Sequence, residues 1–281
     1  MRFVSVLLAL IALPSINCAS SSLAATTALN APVAEAVPLA EFDHSHKLLD
    51  QLLVKHVANG WLDYKGVIAD RKLLRQYINQ LKTVTPDQLS SWTREQRYAF
   101  WINTYNAHVI RVVINNYPLR SIKDIGGAVF NVIWDKEFIE LTAHHPDGDD
   151  DMLSLNDVEH KILRPRFKDA RVHAAVNCAS YSCPVLMNGA FTADKLEEQL
   201  ERQMRGFVND SLRNTIDVEG GKLQISEIFK WFEDDFKRDH GSINSYLAFY
   251  VPAEFAEFVK TAKIRYLDYD WSLNDIEANR K

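Results

Sequence analysis

The sequence has no basic surplus: 32 Lys and Arg stand against 37 Asp and Glu, for a formal net charge of −5 at pH 7. Recognition of phosphate backbones needs clustered cations, so no nucleic-acid partner is expected. After the N-terminus no apolar run approaches the roughly 18 residues that cross a bilayer, so no transmembrane helix is expected either. Cysteine is scarce, three in 281 residues. No Cys-x2-Cys redox pair and no zinc-ligand spacing occurs among the cysteines and histidines, which argues against thioredoxin-like exchange and a structural zinc site. There is no internal repeat and no second linker between Phe42 and about Asp275. What remains, 47% hydrophobic and 25% charged, suffices for one sizeable core.

The first residues, MRFVSVLLALIALPSINCAS, place one cation before a short apolar run and then small polar residues. That is the pattern of a secretory signal peptide, expected over residues 1–25, with a flexible Ala-, Ser-, Thr- and Pro-rich leader over 26–40. Export implies a periplasmic or secreted protein, in which disulfides persist. A lipid anchor at Cys18 is the competing route, disfavoured by the SIN before it. One globular domain is expected over 41–281.

Helical periodicity dominates that domain. HKLLDQLLVKHV and LLRQYINQLKTV carry apolar residues at three- and four-residue spacing. TREQRYAFWINTYNAHVIRVVINNYP has Thr93 and Gln96 at capping-box spacing, Pro118 at its far end, and apolar residues on nearly every side, so it is expected to be central. SLNDVEHKILRPRF is predicted to be a helix capped by Ser154 and Asp157 and ended by Pro165. TADKLEEQLERQMRGFVND is predicted to be a helix capped by Thr192, and EIFKWFEDDF and AEFAEFVKTA are two more. NVIWDKEFIEL, MLSL, RVHAAV and KIRYLDYDWSL read as strands, and NTIDVEGGKLQIS as a hairpin. The expected class is α+β, helix-rich, around a modest mixed sheet.

RVHAAVNCASYSCPVL holds Cys178 and Cys183. A nucleophilic thiol must ionise, and a cysteine at the end of a strand, before a turn, meets backbone N–H groups that favour the thiolate or an oxyanion. Asn177 is a further oxyanion donor. His160, His173 and His108 are candidate bases; on a regular strand His173 and Cys178 would face opposite ways, which favours His160. The same pair also reads as a disulfide closing a small loop, or as two small core residues. Asn103 and Asn106 share one side of the apolar helix and either brace a loop or line a cleft. HHPDGDDD does not match a calcium loop and reads as a solvated turn. Trp231 falls at core spacing, while Asp235 and Asp270 are carboxylates able to orient an imidazole. No cofactor and no metal is expected.

The motifs AFWINTYNAHVI, SLNDVEHKIL, VHAAVNCASYSCP, ISEIFKWFEDDF and YLDYDWSLN, in that order, resemble the domain of unknown function 547 family, found in exported bacterial proteins and in plant and animal multidomain proteins. The resemblance runs from about residue 60 to 275. It points to Asn103, Tyr105, Asn106, His160, His173, Asn177, Cys178, Ser182, Cys183, Pro184, Trp231, Asp235, Asp270 and Trp271. A helix-borne Asn, a His and a Cys are similar in type to papain-like and transglutaminase-like thiol enzymes, although here the histidine precedes the cysteine. The expected activity is thiol-dependent hydrolysis or acyl transfer on an amide or thioester. Cys178 would be the nucleophile, His160 the base, Asn177 an oxyanion donor and Asp235 or Asp270 the orienting carboxylate. The alternatives are a periplasmic module that binds a small molecule or peptide, with a Cys178–Cys183 disulfide, or a redox-active cysteine pair.

Overall fold

The structure, a computed structural model, describes residues 41–126, 132–146, 148 and 152–278. The expected signal peptide, leader and Cys18 lie outside them, as do Asp147, Asp149, Asp150 and Asp151 of the acidic turn. Among the described residues no helix is long and apolar enough to cross a membrane.

The domain is a helix-rich α+β fold. It opens with α1 (Lys47–His56), a two-residue hairpin of β1 (Val57–Ala58) and β2 (Trp61–Leu62), α2 (Tyr64–Ala69), α3 (Arg71–Lys82) and α4 (Pro86–Ser91). The hairpin turns at Asn59 and Gly60, both at positive φ, as a type I′ connection demands. Gly60 is needed for a second reason: a Cβ there would stand 2.5 Å from Val185 Cβ, so the hairpin can lie against the end of the cysteine loop only without a side chain.

Next comes α5 (Arg94–Asn116), 23 residues long and started by the expected Thr93–Gln96 capping box. It is buried from Tyr98 to Ile110 without interruption, because its apolar residues encircle it and α2, α3 and the segment 157–163 pack around them. Full burial of a large apolar side chain is worth about 1.5–3 kcal/mol, and Tyr98, Phe100 and Trp101 are all within this stretch. Two buried amides, Asn103 and Asn106, interrupt that surface and reach outward to loops.

Four expected elements differ. Where a strand was expected, Val132–Asp135 is a helical turn, α6, and the expected MLSL pairing shrinks to one antiparallel bridge, Ile139 with Leu153. SLNDVEHKIL is a π-helical segment (Asp157–Leu163), started by the reciprocal Ser154–Asp157 bonds. It runs on into α7 (Arg164–Phe167), so Pro165 does not terminate it. A wider turn just before a proline relieves its clash with the carbonyl four residues back. RVHAAV is not a strand but α8 (Val172–Ala175), a single turn whose Val176 N–H returns to the Val172 carbonyl.

The chain then forms α9 (Leu196–Val208), which starts one turn after the expected Thr192 cap, and the hairpin β3 (Thr215–Asp217) with β4 (Lys222–Ser226). It closes through α10 (Ile228–Trp231), α11 (Glu233–His240), α12 (Ile243–Tyr250), α13 (Ala253–Thr261) and β5 (Ile264–Leu267). The mixed sheet has the order β3-β4-β5, antiparallel and then parallel. Two apolar clusters result, one around α5 and one between α9, β4 and α11–α13. Val172 and Ala175 of α8 belong to the first and Ala174 to the second, so His173 sits at the seam.

Candidate active site

A cavity of about 300 Å³ opens at that seam. Cys178, Cys183 and Tyr269 form one wall, and Tyr105, Glu159 and His173 another; Trp134, Trp231, Phe232 and Trp271 surround them.

The sulfur wall is a loop held from all sides. Asn106 on α5 donates to the Ala175 carbonyl at 2.9 Å and accepts the Asn177 N–H at 2.8 Å. Asn177 donates to the Pro184 carbonyl at 2.8 Å and accepts from Ala179 N–H and Asn274. Buried Arg213 donates to the Tyr181 and Cys183 carbonyls. Ser182 and Asp270 are tied by two hydrogen bonds, Ser182 N–H to the Asp270 carbonyl and Asp270 N–H to Ser182 Oγ. Within this frame Ala179 adopts φ 64°, a left-handed conformation that a Cβ disfavours by about 1–2 kcal/mol. Strain of this kind next to a cysteine is typical of sites where the backbone is shaped for function.

Both cysteines are free thiols, with sulfurs 2.6 Å apart. Cys183 is buried and Cys178 partly open to the cavity. Cys183 Sγ accepts the Cys178 N–H at 3.0 Å. Cys178 Sγ also lies 3.1 Å from Ser180 Oγ and 3.4 Å from the Tyr269 hydroxyl. Burial pushes the Cys183 thiol up, but the Cys178 thiol, the Tyr269 hydroxyl and the Cys178 N–H together pull it down to about 6. Its hydrogen bond to Cys183, and then burial, push Cys178 the other way. Opposite shifts on two sulfurs in contact mean that the thiols titrate as a coupled pair.

The opposite wall carries an imidazole with one occupied nitrogen. His173 Nε2 donates to Asp235 at 2.8 Å, and its ring stacks on Phe232 with centroids 3.8 Å apart. Nδ1 has no hydrogen-bond partner, and Glu159 Oε1 stands 3.9 Å from it. Complete burial lowers the His173 pKa, only partly offset by Asp235, so the ring is neutral with Nδ1 as a bare acceptor. Burial alone would raise Asp235, yet His173 and Arg164 hold its carboxyl well below the usual range.

Residues 89–208 fit the family model described as protein of unknown function, DUF547. This stretch of the chain is similar to that family. No curated protein and no solved structure matches the chain. The domain 547 segment is shorter than the run of motifs read from the sequence. It contains both cysteines, Glu159, His160 and His173, whereas Asp235, Trp231, Tyr269 and Trp271 come from the region that follows it.

Several expected site residues take other places. His160 lies on the cavity wall, but it is exposed and its Nδ1 accepts from Arg164 at 3.0 Å. Among the described residues no histidine is hydrogen-bonded to either sulfur. The argument that set His173 aside fails, because α8 is a helical turn and His173 shares the cavity with Cys178. Asn177 is a brace whose amide is bound to the Pro184 carbonyl, not a free oxyanion donor. Asp235 orients His173; Asp270 and Ser182 hold the loop and touch no imidazole. Asn103 braces Phe191 through both its amide atoms. Tyr105 and Trp231 are on the wall.

Glu159, Ser180 and Tyr269 were missed. Glu159 adjoins His160 in sequence, and Tyr269 lies in the last motif, so both stood inside quoted stretches. Nothing local distinguishes them from surface residues. Among the described residues no group of three or more His, Cys, Asp or Glu is placed to hold a metal ion.

Proposed function

We propose that the protein is a thiol-dependent hydrolase or acyl transferase acting on an amide or thioester, with the Cys178–Cys183 pair as its reacting group. The observation that carries this reading is two free sulfurs in contact at a cavity wall. Cys178 is the sulfur open to substrate. As its Sγ bonds to the carbonyl carbon, its proton passes to the Cys183 thiolate, and the carbonyl oxygen takes up the negative charge. Tyr269 keeps its proton, because burial and the charge on the cysteines raise its pKa, and it donates to that oxygen. The bond to the leaving nitrogen or sulfur then breaks, the Cys183 proton going to the leaving group. In the second half His173 takes a proton from water or another acceptor, which attacks the thioester carbon; the carbon–sulfur bond breaks, and the departing Cys178 sulfur takes that proton back from His173. Asp235 holds the His173 tautomer that leaves Nδ1 free. The leader pattern at residues 1–25 supports a periplasmic or secreted location.

Two sulfurs in contact also favour a second reading, thiol–disulfide exchange, in which Cys178 attacks a disulfide and Cys183 resolves the mixed intermediate. Intact-mass alkylation of purified protein at pH 6 and pH 8, with and without reductant, followed by incubation with acetyl thioesters, separates these. Rapid alkylation at pH 6 and an acetyl adduct that Cys178→Ala abolishes support acyl transfer. Mixed disulfides with glutathione, and no acetyl adduct, move the assignment to redox exchange. Thiols silent until reductant is added, with no turnover afterwards, leave the binding-module reading.

A further inference from the structure

The rim of the cavity specifies the charge of what enters it. Four aromatic rings crowd that rim: Trp231 lies 4.7 Å from Tyr269 and 5.8 Å from Trp271, with planes 19° apart in the second pair, and Trp134 meets Trp271 at 5.5 Å. Trp231 is 43% exposed, an unusual position for so large an apolar side chain unless a ligand covers it. The described walls carry two carboxylates, Asp135 and Glu159, and neither Lys nor Arg. Asp135 is exposed and held by Asn156 at 2.5 Å, so it is fixed at the entrance.

Aromatic faces with acidic neighbours attract organic cations through the ring quadrupole and by direct charge. They reject carboxylates and phosphates, which find no countercharge on the walls. Two of the protein's own cations already lie against rings of the cavity lining. Lys123 Nζ stands 4.6 Å from the Trp271 ring centre, and Arg164, ion-paired with Asp235, lies 4.9 Å from that of Phe232.

We infer that the substrate carries an organic cation, an ammonium or quaternary ammonium group, which the rim of Trp134, Trp231, Tyr269 and Trp271 with Asp135 receives while its acyl carbon meets Cys178. This rests on the proposed reading only in placing the substrate in this cavity; the cation site itself needs no reactive thiol.

The test titrates tryptophan fluorescence of the reduced full chain with choline, with its uncharged carbon isostere dimethylbutanol and with isethionate, an anion of similar size. Choline is expected to bind about tenfold more tightly than dimethylbutanol, with isethionate weakest. Trp231→Leu, at an exposed position, should abolish that preference, and Asp135→Asn should reduce it, while Cys178→Ala should leave it intact. Equal binding of choline and dimethylbutanol, preference for isethionate, or no binding of any of the three overturns the inference. Choline binding with inert thiols sinks the acyl-transfer reading and leaves the cation site standing. Turnover of uncharged and cationic thioesters at equal rates does the reverse.

Discussion

The sulfur wall and the histidine wall face the same cavity but are tuned by opposite means. On the sulfur wall every nearby polar group has a partner, and the Cys183 thiolate is favoured by donors brought to it: a backbone N–H, a thiol and a phenol. On the histidine wall the dominant influence is the removal of water, which keeps His173 neutral and leaves one nitrogen bare. The difference teaches that one site can be set for anionic and for neutral chemistry only if hydrogen bonds act on one side and desolvation on the other.

The largest effect that would break this comparison comes from the frame of the sulfur wall. Asn106→Leu would leave the Ala175 carbonyl and the Asn177 N–H buried without partners, and should destabilise the fold by about 3 kcal/mol in urea titration. A loss under about 1 kcal/mol would mean that the loop is not held from α5.

Acid should act on the histidine wall first. Buried His46 and His108 have pKa values lowered to about 3 by burial, and that of His173 is lowered for the same reason. Such groups protonate first in the unfolded chain. Stability is thus fully present above the unfolded pKa near 6.5 and falls as pH drops toward the folded values, by about 1.4 kcal/mol per pH unit for each. His173→Gln should make the decline below pH 6.5 shallower by up to that amount, measured as urea midpoints at several pH values. An unchanged slope would show that His173 is not held neutral.

Tyr269→Phe removes a donor to the sulfurs. The midpoint of the iodoacetamide rate against pH should move up by about one unit. No movement would assign the low value to the Cys178 N–H and thiol alone. The smallest change is expected from Trp231→Leu, within about 0.5 kcal/mol of wild type in thermal or urea unfolding, because the ring is exposed and rests on other rings.

Much of the helical framework was legible. The capping boxes at Thr93 and Ser154 form, and the encircling apolar pattern of 94–116 marks the buried helix correctly. The errors were short. RVHAAV looks like a strand because Val172 and Val176 flank it, but its two alanines favour a helical turn once both apolar clusters close over it. That one difference removes the facing argument between His160 and His173, which depends on the period assumed. Asn103 and Asn106 were legible as buried amides, but not the loops they hold, Phe191 lying 88 residues from Asn103 and Asn177 lying 71 from Asn106.

By itself, then, the sequence determined the chemistry available: two cysteines, an amide-bearing central helix, a histidine-rich middle and no surplus of positive charge. Local patterning sufficed because capping, periodicity and residue type act over a few positions. Only the tertiary structure decided which groups meet. The approach of two sulfurs, the pairing of His173 with Asp235 62 residues away and the gathering of Trp134, Trp231 and Trp271 at one rim all depend on long-range packing of two clusters about α8.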